Sequence, residues 1–149
     1  MHRPGPEMSL IDPSKKIEEI GSYGDLEAGW YWQSNVIPDM DEFRDQHTRL
    51  VETLQSEGVE VIFLDSIELD GIKSVYTRDS SFAVKGGAIV TRMARSIRRG
   101  EEAHVTRTIA NRGMPILRTL HGTAMAEGGS FAWLNSSTAV MGRSICVNE

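Results

Sequence analysis

A single cysteine, Cys146, stands in a chain of 149 residues. One thiol cannot close an internal disulfide, which excludes a stapled secreted scaffold and makes a reducing compartment the expectation. Long apolar runs are missing too. No window approaches the roughly 20 apolar residues of a spanning helix, and Met1 to Glu7, with Pro4 and Pro6, lacks an apolar signal core. Secretion and membrane insertion are therefore not expected, and a cytoplasmic protein is. Basic charge is short as well: 16 Lys and Arg face 21 Asp and Glu for a net charge of −5, which argues against a nucleic-acid binder. Neither standard glycine-rich phosphate loop occurs, and His104 and His121 have no ligand partners at zinc-like spacing. No cofactor and no metal are expected.

What is present is ordinary globular material. With 40% hydrophobic and 25% charged residues, collagen-like, low-complexity and disordered classes are excluded. A chain of this length buries about two thirds of its unfolded surface, enough for a core. Residues 1–36 read as an irregular arm whose aromatic cluster, Trp30-Tyr31-Trp32, is core material more readily than a stacking platform. Residues 37–149 read as the folded domain. Asp39 caps a helix in which Glu42 completes a capping box. Met40, Phe43, His47, Leu50, Val51 and Leu54 line one face of that helix, and Gly58 stops it. Val59 to Leu64 follows as a buried strand rich in β-branched residues. His47, on the apolar face, reads as a packed histidine rather than a ligand.

From Ile72 to Met93 the pattern is strand, loop, strand, turn, strand, with Lys85-Gly86-Gly87 as a hairpin turn between Phe82–Val84 and Ala88–Thr91. A helix is expected over Glu101–Asn111, with Val105 and Ile109 on one face and Gly113 past its end. A strand is expected over Pro115–Leu120, and a second hairpin joins Phe131–Leu134 to Thr138–Met141. The two hairpins look like copies of one unit. Ser81-Phe82-Ala83 recurs as Ser130-Phe131-Ala132; an acid precedes each, Asp79 and Glu127, and an arginine closes each, Arg92 and Arg143. By analogy a helix should follow the second copy, and Asn148-Glu149 has the character of a helix start.

Two loops carry candidate chemistry. Tyr76-Thr77-Arg78-Asp79-Ser80-Ser81 sets a carboxylate between two strands, suited to the paired N–H groups of a guanidinium; an Asx turn is the commoner reason for such a loop. Glu127-Gly128-Gly129-Ser130 lets backbone approach closely while a carboxylate points into a site; a flexible turn before a strand is the commoner explanation. Equivalent placement in neighbouring units would bring both carboxylates toward one axis. The arginines at 92, 95, 98 and 99, followed by Glu101 and Glu102, read as a solvated face. Cys146, in the apolar run Ile145-Cys146-Val147, reads as a buried, inert thiol.

Thr77-Arg78-Asp79, Arg92-Met93, Arg98-Arg99-Gly100-Glu101, Glu127-Gly128-Gly129 and Gly142-Arg143-Ser144, in that order, resemble the arginine deiminase and amidinotransferase superfamily of guanidino-modifying enzymes. Gln46-His47, Leu54 and Gly58-Val59-Glu60-Val61 resemble that family's early helix and strand. The resemblance implies an α/β pentein fold: propeller-like, built from ββαβ-type units with short mixed sheets, of which residues 37–149 would form two to three. It implies a small cationic, arginine-like substrate, attacked at a C–N bond through a covalent cysteine intermediate. By the same resemblance Asp79 binds the guanidinium, Glu127 is the carboxylate beside the catalytic histidine, and Arg143 is a candidate for the substrate carboxylate, with Arg78 and Ser130 at the same site. Ser130 stands where the family has aspartate. The family's histidine and late nucleophilic cysteine have no counterpart here, and Cys146 does not match the nucleophile's place. The expectation is thus the N-terminal portion of a guanidino hydrolase, inactive alone; an amidinotransferase of that fold or a non-catalytic binding module is the alternative. Self-association, or association with a missing C-terminal half, would follow from uncovered strand edges.

Overall fold

The computed structural model describes residues 1–5, 13–18, 22–25, 30–32, 38–64 and 74–148. These group into two compact units, Met1–Val75 and Tyr76–Glu149.

In the first unit, three short strands pair antiparallel where an irregular arm is expected: β1 (Lys16–Ile17), β2 (Ser22–Asp25) and β3 (Trp30–Trp32). Pairing satisfies backbone groups that periodicity over two to four residues is too short to announce. The packing of Trp30, Tyr31 and Trp32 lies outside the described side chains. Helix α1 (Met40–Ser56) begins where its cap predicts, with Asp39 Oδ1 accepting the N–H groups of Asp41 and Glu42 at 2.9 and 3.1 Å. The capping-box partner is otherwise engaged: Glu42 Oε1 takes a bond from Gln46 Nε2 at 3.1 Å. Gly58, at φ +79°, follows the helix end. His47 and Val51 are buried on the helix, but Leu50, expected beside them, is 50% exposed. Val59–Leu64 forms neither strand nor helix, and Val59 is exposed. Its Ile62 carbonyl accepts from the Met1 ammonium, and its Leu64 N–H donates to the Met1 carbonyl at 2.8 Å. A single residue of chain thus takes the place of the strand partner that the β-branched run calls for.

The second unit opens with a 3-10 turn (Thr77–Ser80) feeding β4 (Ser81–Val84), which pairs antiparallel with β5 (Gly87–Val90) across Lys85-Gly86. Gly86 sits at φ +92°, the left-handed region a hairpin turn requires. The expected strand before this loop begins partly outside the described residues, and Ser74–Val75 form a turn. Helix α2 (Glu101–Asn111) then crosses over to β6 (Ile116–Thr119), which runs parallel to β5. The order β4-β5-α2-β6 is one complete ββαβ unit, and its three strands form one mixed sheet. Its core is Ala88, Val90 and Met93 with Val105 of α2 and Ala126, all less than a tenth exposed. Glu102 caps α2 from inside the first turn, its carboxylate accepting the N–H groups of Gly100 at 2.7 Å and Met93 at 2.8 Å. A second 3-10 turn (Gly128–Ser130) leads into β7 (Phe131–Trp133), paired with β8 (Ala139–Met141). Turn plus hairpin thus occurs twice, as the sequence repeat predicts. Asn148 serves neither copy as a helix cap: its side chain holds Met125 N–H at 2.8 Å and Thr123 carbonyl at 2.6 Å. Among the described residues, no helix is long and apolar enough to cross a membrane.

Candidate functional site

The two copies meet at their turns and first strands. Phe82 and Phe131, at the same place in each repeat, stack with centroids 4.3 Å apart and an interplanar angle of 20°. Trp133 Nε1 donates to the Ala83 carbonyl at 2.9 Å, and Arg78 Nη2 donates to the Phe131 carbonyl at 2.9 Å. The turns themselves are seated backbone on backbone. A Cβ on Gly128 would run into the Arg78 and Ser81 carbonyl oxygens, and one on Gly129 would meet Asp79 Oδ1 at 2.5 Å. Gly128 is therefore a packing requirement of the repeat, seated on main-chain atoms, whereas Gly129 leaves room for the Asp79 carboxylate.

This seating fixes the first carboxylate. Asp79 Oδ1 accepts the Gly129 N–H at 3.2 Å, and Oδ2 accepts Arg98 Nη1 at 2.7 Å. Thr91 Oγ1 donates to the Asp79 carbonyl at 2.6 Å. The aspartate side chain is 21% exposed, so the carboxylate reaches solvent with its orientation already set. Arg98 corrects the expectation of a solvated arginine face. It is 6% exposed, its Nε and Nη2 fork onto Glu101 at 3.0 and 2.8 Å, and Nη2 also donates to the Tyr76 carbonyl at 3.1 Å. Burial works against the guanidinium charge, but bonds to Glu101 and Asp79 outweigh it and hold Arg98 above its ordinary value. Burial likewise pushes the Glu101 carboxyl up, against the opposing pull of Arg98. The i, i+3 spacing of Arg98 and Glu101 across the start of α2 was the available signal for this pair.

The second carboxylate, Glu127, is half-buried and accepts the Ala94 N–H through Oε1 at 3.1 Å. Cys146 lies beside it. Burial pushes the Cys146 thiol up, its hydrogen bond to Glu127 and that carboxylate's charge push it further, Arg95 opposes, and Asp79 adds to the rise. One half-buried sulfur thus feels both carboxylates and one arginine, so Asp79, Glu127, Arg95 and Cys146 share one neighbourhood. This field favours the protonated thiol, but the expected burial of the run is not met: Ile145 is 73% exposed and Cys146 is half-buried. Its association with Glu127 is what sequence reasoning missed, because the two lie far apart in the chain. Ser130 contributes backbone, its N–H donating to the Glu127 carbonyl at 2.9 Å and its carbonyl accepting from Gly142 N–H at 2.8 Å. Arg143, next in the chain, is exposed beyond β8. Among the described residues no group of histidine, cysteine and carboxylate side chains forms a metal site. Chemically, the arrangement offers two carboxylates, each with one oxygen oriented by a backbone N–H group.

The family model for N,N dimethylarginine dimethylhydrolase, eukaryotic, matches residues 32–142, spanning the turns, both hairpins and α2. The chain belongs to the N,N dimethylarginine dimethylhydrolase family. Its sheets share the pentein fold of solved dimethylarginine dimethylaminohydrolases. A structure of that enzyme as an adduct with 4-chloro-2-hydroxymethylpyridine is 25% identical at a TM-score of 0.67, over 74% of this chain and 44% of that one. A cysteine-to-serine variant from Pseudomonas aeruginosa, complexed with citrulline, matches in fold at a TM-score of 0.74 and 21% identity, over 99% of this chain and 50% of that one. The uncharacterized protein YkgA of Bacillus subtilis (strain 168) is 40% identical over 86 residues, 57% of this chain and 29% of that protein. The chain therefore spans half or less of the length of each of these three proteins.

Proposed function

We propose that this chain supplies the carboxylate side of a guanidino-group hydrolase site, acting on a C–N bond of arginine or an N-substituted arginine. The observation that carries the reading is the convergence of Asp79 and Glu127, each delivered by an equivalent turn and each already oriented by backbone N–H groups. Asp79 and Glu127 hold the guanidinium; Ser130 and the Arg78 and Arg143 guanidiniums serve the rest of the substrate. Attack on a resonance-stabilised guanidinium carbon needs a thiolate and a proton donor held together with these clamps. The raised Cys146 thiol suits neither role, so on this reading the nucleophile and its histidine come from outside residues 1–149. Exposed Trp133, Leu134, Val140 and Ile145 support association of the second unit with that further segment or with another copy.

A second reading has its own observation: Arg98 already occupies Asp79 Oδ2, which favours a purely structural aspartate in a non-catalytic binding module. Titration calorimetry of the chain with methylguanidine separates the two. Asp79→Asn and Glu127→Gln are each expected to weaken binding at least tenfold, and no citrulline is expected from arginine or dimethylarginine. Unchanged methylguanidine affinity in both variants would refute the hydrolase clamp. A lowered melting temperature in Asp79→Asn with unchanged affinity would assign Asp79 to structure alone.

A further inference from the structure

Apart from the carboxylate site, the first unit holds a cavity of about 300 Å³ between the amino-terminal segment, α1 and Phe63. That volume is at the small end of organic-ligand sites. Its charged walls are basic. Arg3 lies over the Phe63 ring at 4.3 Å from the centroid, and Arg44 reaches across from α1, its Nε donating to the Pro4 carbonyl at 3.4 Å. Val51 and Phe63 make the remainder apolar. Between them stands His47, 9% exposed, whose Nε2 is buried without a hydrogen-bond partner among the described residues. The unpaired ring nitrogen is enclosed next to this basic cavity, whose wall the His47 side chain helps to form.

We propose that this cavity binds a small carboxylic acid with an apolar body, its carboxylate set between Arg3 and Arg44 beside the His47 ring and its body against Val51 and Phe63. Two guanidiniums from separate elements give the anion its charge complement, while the apolar walls exclude a bare, fully hydrated ion such as phosphate. The site also links binding to a proton. Burial holds the free imidazole below its ordinary value; the His2 backbone bond opposes, and the charges of Arg3, the amino terminus and His2 reinforce burial. The charges acting on His47 are those of His2, Arg3 and the Met1 ammonium from the amino-terminal segment; Arg44 of its own helix lines the same cavity and shares its Nη1 with Asp41 Oδ1 at 3.4 Å, while the Phe63 segment offers a ring 6.3 Å away. A bound carboxylate supplies the missing negative charge, so the imidazole takes up a proton as the ligand enters.

Benzoate and its neutral isostere benzamide are the probes, titrated into the 149-residue chain at pH 7 in two buffers of different ionisation heat. Benzoate is expected to bind at least tenfold more tightly than benzamide, with a buffer-dependent heat showing proton uptake. Arg3→Gln and Arg44→Gln are each expected to weaken benzoate several-fold, and His47→Phe to abolish the buffer dependence while the ring's volume is kept. Equal affinity for benzoate and benzamide overturns the proposal, as does benzoate binding insensitive to both arginine variants. Should His47→Phe fail to fold, the arginine variants and the buffer comparison on the unaltered chain decide. Methylguanidine binding at the carboxylate site is read separately and is expected to be untouched by any of these three changes.

Discussion

Replacing Arg98 by methionine removes a guanidinium while keeping most of its volume, and the structure sets the cost. Three charge-assisted bonds disappear, one to Asp79 and two to Glu101, together with the bond to the Tyr76 carbonyl. The Arg98 and Glu101 side chains are only 7% and 4% exposed, so solvent screening does little to reduce the loss. Asp79, at 21%, recovers part of its share from water. Breaking a buried pair from one side costs about 3–5 kcal/mol, because the remaining charge is left buried and alone. For a chain of this size that is a fall in Tm of roughly 6–20 °C. The loss depends on pH with a definite sign. Burial already raises the Glu101 carboxyl, and without Arg98 nothing opposes the rise. A carboxyl raised in the folded state favours folding below its unfolded value and loses that contribution as pH climbs through the folded one. The variant is therefore expected to be closest to the parent at pH 4–5 and furthest from it at pH 8. Thermal melts followed by circular dichroism across that range test this. A loss below about 1 kcal/mol at pH 8, the range of exposed pairs, or one independent of pH, would refute the buried-pair argument.

Other positions test neighbouring parts of the structure. Gly128→Ala drives a Cβ into the Arg78 and Ser81 carbonyls and is expected to cost about 1–3 kcal/mol in denaturant unfolding. Glu127→Gln removes a carboxylate that raises the Cys146 thiol, so iodoacetamide should alkylate Cys146 several-fold faster at pH 8. On α1, Val51→Ala should cost about 1–3 kcal/mol for the lost burial. Leu50→Ala, one residue away and half exposed, should stay within about 1 kcal/mol.

Much of the second unit was legible because its signals are local. Lys85-Gly86-Gly87 specifies a turn through positive φ, the acid–hairpin–arginine order specifies a repeat, and α2 runs over the residues its pattern predicts. The carboxylates at 79 and 127 were legible as equivalents for the same reason. Burial depends instead on long-range neighbours, and there the reading failed. In a cluster of four arginines the i, i+3 spacing to Glu101 marks Arg98 only weakly, and it turns inward because Glu101 and Asp79 await it on different elements. Leu50 obeys helical spacing yet faces solvent. Val59–Leu64 has the composition of a strand but forms none, and its Ile62 and Leu64 backbone groups bond Met1 instead. The strands β1 to β3 are too short for any period to show.

The seating of Gly128 and Gly129 against the Arg78–Ser81 turn has a consequence for how such a site evolves. The separation between the two acid-bearing loops is set by main-chain atoms, which every sequence shares, rather than by the side chains that meet the ligand. Exchange of a side chain on either loop, such as Ser130, then leaves that separation alone, whereas any residue larger than glycine at 128 forces the two main chains apart.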